Sequence, residues 1–149
     1  MRIETLSDGE ITRQASGRLG VETRGQGFIE ITDAAARWVA GTGIRHGLVT
    51  IFCRHTSASL LIQENADPDV RRDLLTALDR LAPRNVGYIH STEGPDDMPA
   101  HIRTVLSGVS LSIPVVEGRM TLGAWQGIYL AEHRDRPHRR ELIFHLTGA

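Results

Sequence analysis

His90, Asp97 and His101, in the run HSTEGPDDMPAHI, are of the types and spacing that hold a divalent metal ion. His101 follows Asp97 by four positions, so on a helix the two share a face, and His90 across the Gly94-Pro95 turn could close a facial set. The competing reading gives Asp96 and Asp97 the ordinary duty of acidic residues at a helix N-terminus, with Pro99 in the first turn and His101 packed on a sheet. A second concentration, FCRHTSASLLIQEN, sets His55 after an apolar run and before the hydroxyls of Thr56 and Ser57. An imidazole there could transfer protons beside groups that bind phosphate oxygens, with Glu64 and Asn65 at the next junction. Against it, Thr56 and Ser57 can satisfy a bulged backbone while Asn65 to Asp67 cap a helix. No G-x-S-x-G elbow surrounds Ser57, so a Ser/His/Asp triad is a poor reading. In the third, LGAWQGIYLAEHRDRPHRR, Gln126 and Glu132 project to one side of an unbroken strand, and Glu132, His133 and Arg134 gather three kinds of charge chemistry at its end. The alternative is a solvated hairpin whose hydrophilic face is Arg134, Arg136, Arg139 and Arg140.

These groups need a scaffold, and the patterning supplies one. Residues 1–16 read as an N-terminal extension, a tail or a hairpin around Asp8-Gly9, ahead of a domain over 17–149. Leu19, Val21 and Thr23 alternate, and Gly25 and Gly27 turn the chain into Phe28 to Thr32, which suggests antiparallel pairing of the two segments. Thr32 or Asp33 then caps a helix that carries Ala35, Trp38 and Val39 on one side and stops at Gly41. The run GLVTIFC over 47–53 reads as a strand buried on both faces, and the sheet continues at Ser59 to Gln63. Asp67-Pro68 opens a helix with Val70, Leu74, Leu78 and Leu81 inward and Arg71, Arg72 and Asp73 toward water. A further helix runs from Asp96 or Asp97 to Gly108. Leu111, Ile113 and Val115 alternate before the Glu117-Gly118 turn and a return strand at Met120 and Leu122. Strands at Trp125 to Ala131 and Glu141 to Leu146 complete a single α+β domain with a largely antiparallel sheet and two or three helices.

Composition limits the chemistry. The 149 residues suit one domain with one core. All 17 basic side chains are arginine, which excludes lysine nucleophiles and Schiff bases. The formal charge of -1 argues against nucleic acid as a partner, and no apolar run approaches a membrane span. Cys53 stands alone, and MRIETLSDGE lacks a signal-peptide pattern, so the expected compartment is the cytoplasm.

Taken in order, FIEITD, GLVTIFCRHTSASLLIQENADP, HSTEGPDDMPAHI and LGAWQGIYLAEHR resemble the YjbQ-like family, known as secondary thiamine-phosphate synthases, over about residues 18–148. The resemblance implies a compact α+β domain whose sheets form a barrel or sandwich, assembled as a homotrimer with sites near subunit boundaries. It also implies a metal-assisted transferase that joins hydroxymethylpyrimidine diphosphate to a thiazole phosphate. The alternative is a non-catalytic module that binds a phosphorylated small metabolite. Carried onto this chain, the motifs assign catalysis to His55, Glu64, Glu132 and His133 and substrate binding to Thr56, Ser57, Asn65, Gln126 and Arg134. They leave His90, Asp97 and His101 to hold Mg or Zn.

Overall fold

A computed structural model describes residues 1–149, in which residues 1–12 form neither helix nor strand. The elements are β1 (Arg13–Glu22), β2 (Gly27–Glu30), α1 (Thr32–Thr42), β3 (Gly47–Cys53), β4 (Ala58–Glu64), α2 (Pro68–Leu81), α3 (Asp97–Ser107), β5 (Ser110–Val116), β6 (Arg119–Met120), β7 (Gln126–Glu132) and β8 (Arg139–Gly148). They make two antiparallel sheets, β1-β8-β3-β5-β6 and β2-β7-β4. The inner faces share one core: Val49, Ile51, Leu142, Phe144 and Leu146 from the larger sheet meet Leu60, Ile128 and Leu130 from the smaller. Ala35 and Val39 of α1 join them, so the expected α+β class with antiparallel sheets is what the chain adopts. No helix is long and apolar enough to cross a membrane.

Several sequence expectations fail for tertiary reasons. β1 and β2 do not pair with each other: β1 runs against β8 from Arg13↔Gly148 to Glu22↔Arg139, and β2 against β7. The Gly25-Gly27 segment carries the chain from one sheet to the other, and β1 starts inside the supposed extension 1–16. The expected burial of β3 on both faces is replaced by alternation, with Val49, Ile51 and Cys53 buried while Leu48 and Phe52 each keep 45% of their surface exposed. Its two sheet neighbours hold its edges and leave the outer face partly open. Helix α1 continues past Gly41 to Thr42 and stops at Gly43, whose left-handed φ of 71° suits glycine. Thr32 does not cap that helix; its hydroxyl accepts from the Ile128 amide and donates to Glu30.

Helix α2 begins as the sequence predicts, with the Asp67 carboxylate accepting from the Asp69 amide and Pro68 at its start. It buries no residue completely. Arg71 turns inward instead of to water, donating to the Tyr129 hydroxyl and lying 5.6 Å over its ring. Helix α3 lies against β4, and its buried Arg103 reaches Asp79 of α2 at 2.6 Å. The two helices are thereby tied together on the outer side of the smaller sheet.

Candidate metal centre

The end of β7 carries Glu132 on the core side of its sheet, in line with Ile128 and Leu130. A lone carboxylate in that position would be prohibitively desolvated, and it is matched by Arg140, which projects inward from β8 in phase with Leu142, Phe144 and Leu146. Arg140 is only 4% exposed, so it leaves the hydrophilic hairpin face that the sequence suggested; Arg136 and Arg139 remain exposed. Its fork donates to Glu132 Oε2 at 2.7 Å and Oε1 at 2.5 Å. The Thr23 hydroxyl and the Arg134 amide add two more donors to Glu132. Burial pushes the Glu132 carboxyl up, but Arg140 and these donors outweigh it and hold the group below the ordinary carboxylate range.

Arg140 Nη2 also donates to the carbonyl and hydroxyl of Ser57, pinning the loop between β3 and β4. Ser57 is thus held as a structural acceptor. His55, at the start of that loop, accepts the Glu141 amide at Nε2, 2.8 Å away, so Nδ1 bears the proton. Burial first, then the charge of Arg140, pushes the His55 imidazole below its usual range. The Thr56 carbonyl turns to α3, where it accepts from His101 Nδ1 at 2.9 Å.

That last bond sets the chemistry of the candidate metal ligands. With Nδ1 donating to a carbonyl, His101 turns Nε2 toward Asp97, whose Oδ2 sits 3.4 Å away. His90 Nε2 approaches the same oxygen to 2.7 Å. One ligand atom from each of His90, Asp97 and His101 lies within 4.8 Å of the others. Asp97 is oriented from behind: its Oδ1 takes Arg134 Nη1 at 2.6 Å. Arg134 further donates to Asp96 Oδ2 and to the Glu93 carbonyl. Asp96 and Asp97 are therefore not side-chain caps of α3, and Arg134 directs Nε, Nη1 and Nη2 to Asp96, Asp97 and the Glu93 carbonyl. Burial pushes Asp96 up, while the Asp135 amide and Arg134 together bring it below the usual carboxylate range.

His133 lies on the opposite side of β7 from Glu132, under α3. Its Nε2 meets the Ser59 hydroxyl at 2.8 Å, and its Nδ1 is buried without a partner. Burial, then the charge of Arg103, lowers its pKa to about 4. Glu64, Asn65 and Gln126 are elsewhere. Glu64 pairs with Gln126 at the far end of the β4-β7 ladder, six residues from the Ala58↔Glu132 pair, or about 20 Å at the rise of a strand. There Asn65 donates to Glu30, and Gln126 accepts the Gly123 amide. The structure thus brings His55, Thr56, Ser57, His90, Asp97, His101, Glu132 and Arg134 to one end and leaves those three at the other. Asp96, Arg140, Thr23 and Ser59 belong to the site end but were not among the sequence-derived candidates. For Arg140 the signal was present, because it continues the apolar alternation Leu142, Phe144, Leu146.

Comparison with other proteins places this arrangement in a family. A sequence model described as UPF0047 protein YjbQ-like matches residues 18–149. The chain belongs to the YjbQ-like UPF0047 family. It is 49% identical over 144 residues to a UPF0047 protein of Synechocystis, covering 96% of this chain and 98% of that one. The UPF0047 protein YugU of Bacillus subtilis is 36% identical, with 85% and 93% covered. Among solved structures, an uncharacterized conserved protein of the YjbQ/UPF0047 family from Clostridium acetobutylicum superposes with a TM-score of 0.78 at 39% identity, covering 85% of this chain and 96% of that one. A hypothetical protein from Aeropyrum pernix superposes at 0.83 with 27% identity, covering 91% and 99%. These UPF0047 relatives are named without an activity, which corrects the expected function: kinship gives membership of a family of unknown function, and supports neither a transferase nor thiamine-phosphate synthesis.

The buried imidazole generates a pH prediction. His133 resists protonation in the folded chain down to about 4, whereas in the unfolded chain it protonates near 6.5. The unfolded state therefore binds the proton first, and stability falls as pH drops through that interval while this group contributes no slope above it. The expected loss is roughly 3 kcal/mol. Urea denaturation at several pH values should show it in the wild type and a much flatter profile in His133→Asn; parallel profiles would contradict the assignment.

Proposed function

We propose that His90, Asp97 and His101 hold a divalent transition-metal ion, zinc above magnesium, and that the protein uses it as a Lewis-acid centre of hydrolytic type for a small-molecule ligand. The observation that carries this reading is the meeting of His101 Nε2 with Asp97 Oδ2 at 3.4 Å while His101 Nδ1 is bonded to the Thr56 carbonyl. Two electron-rich atoms facing each other call for a cation between them. The carbonyl behind His101 and the guanidinium behind Asp97 are outer-shell partners of the kind that orient metal ligands. Two imidazoles and one carboxylate favour zinc over magnesium, which prefers oxygen donors. Zinc held by three protein ligands supplies Lewis acidity and an activated water at neutral pH. Neutral His55, on the same loop as Thr56, offers its Nδ1–H as a hydrogen-bond donor nearby. The cytoplasm is the compartment this reading assumes, with Cys53 free and buried.

Chelator-stripped protein titrated with zinc in a calorimeter should take up one ion per chain, with affinity falling as pH drops, because protons compete with the metal for imidazole and carboxylate ligands. His101→Gln and Asp97→Asn should each weaken binding by more than the roughly 10- to 100-fold loss that follows removal of an outer-shell partner. Absence of uptake would mean that a proton on His101 fills the gap, and would end the metal reading.

Assembly as a homotrimer belongs to the same proposal. It is supported by the uncovered apolar side chain of Leu48 on the outer face of β3, and it would give the distant Glu64, Asn65 and Gln126 a route to a neighbouring protomer's metal centre. Light scattering should report three times the 16.4 kDa chain mass; a monomer at micromolar concentration would contradict it.

A further inference from the structure

We infer that the ligand of the metal centre has an uncharged, apolar body seated in the pocket between β3 and α3, with one oxygen-bearing group that reaches the metal; this rests on the metal reading above. The pocket has a volume of about 620 Å³, within the range of small-molecule sites. His101 lines it as well as belonging to the metal set, so the two sites share a wall. Phe52, Val105 and Val109 supply apolar surface, and the Cys53 thiol on its floor already donates to the Ala58 carbonyl. Val105 is 83% exposed and Phe52 is 45% exposed, an unusual outlay of apolar surface beside a polar loop unless something covers it.

Charge distribution selects the ligand class. Arg54 is the permanent cation in the pocket lining, and it contacts Glu141 at 2.5 Å, a carboxylate it shares with Arg18. Its cationic surroundings are paired too: Arg140 with Glu132, Arg134 with Asp96 and Asp97, Arg103 with Asp79. A phosphate or other multiply charged body would have to compete with Glu141 for Arg54 and would lie against walls that are mainly apolar, where its desolvation is poorly compensated. An apolar body meets matching walls. The polar help available is a neutral donor, the Nδ1–H of His55, whose Nε2 is occupied by the Glu141 amide.

The test uses simple probes on the full chain. Zinc-loaded protein is titrated by calorimetry with benzohydroxamate, acetohydroxamate and inorganic phosphate, which share the metal but differ in body. Metal-free protein is titrated with indole while backbone amide shifts are followed by NMR. Benzohydroxamate should bind at least about tenfold more tightly than acetohydroxamate, equivalent to one decade in Kd. Phosphate should bind more weakly than either, and indole should shift the amides of Phe52, Val105 and Val109. Phe52→Ser and Val105→Asp, both exposed positions outside the metal set, should abolish the preference while zinc affinity and the thermal midpoint persist. Equal hydroxamate affinities, tighter phosphate binding, or an unchanged preference in both variants would overturn the inference while leaving the metal reading intact. Indole binding without zinc uptake would instead remove the metal reading, and with it the oxygen-group part of this proposal.

Discussion

A buried ion pair between Glu132 and Arg140 governs this end of the molecule. The two residues come from different sheets, each on a strand's inward face, and meet where the apolar core stops. Removing both charges from water is expensive, and the pair is tolerable because it is well bonded: two contacts to each other, with donors from Thr23 and the Arg134 amide to Glu132 and a bond from Arg140 to Ser57. Its consequence is positional. Holding Ser57 fixes the peptide before it, which directs the Thr56 carbonyl at His101 and so decides which nitrogen of that ring is left to bind a cation.

The start of α3 makes a second use of paired charge. Asp96 and Asp97 would ordinarily serve a helix N-terminus through its dipole, and they do lie there, but their oxygens are claimed by Arg134 from the segment after β7. One oxygen of Asp97 is thus fixed, and the other faces two imidazoles whose rings lie 5.5 Å apart. Pairing Arg134 with Asp96 and Asp97 shapes what the site can recognise, and the adjoining pocket offers mainly apolar walls.

Much of this was legible before any coordinates. The four-residue spacing of Asp97 and His101, the Asp67-Pro68 helix start and the alternation in β5 are local signals, and local signals survive folding. The partition of strands between two sheets was not, since nothing in LGVETRGQGFIEIT distinguishes a tight hairpin from a crossing between layers. Nor could adjacency in a motif stand for adjacency in space. Glu64 and Asn65 follow His55 closely in sequence, yet an extended strand carries them to the opposite end of the ladder. Arg140 was not separated from the other arginines of its hairpin, although the phase of its strand already pointed it inward. Activity was beyond the reach of resemblance, for the family itself is defined by sequence.

The most direct test of the link from ion pair to metal is the zinc affinity of Arg140→Lys. Lysine keeps the buried positive charge opposite Glu132 but lacks the planar fork that also holds Ser57. Affinity should fall by roughly 10- to 100-fold, as for loss of an outer-shell partner, with the thermal transition still cooperative. A cooperative, folded Arg140→Lys protein with wild-type zinc affinity would contradict the claim that the buried pair sets the geometry of the centre.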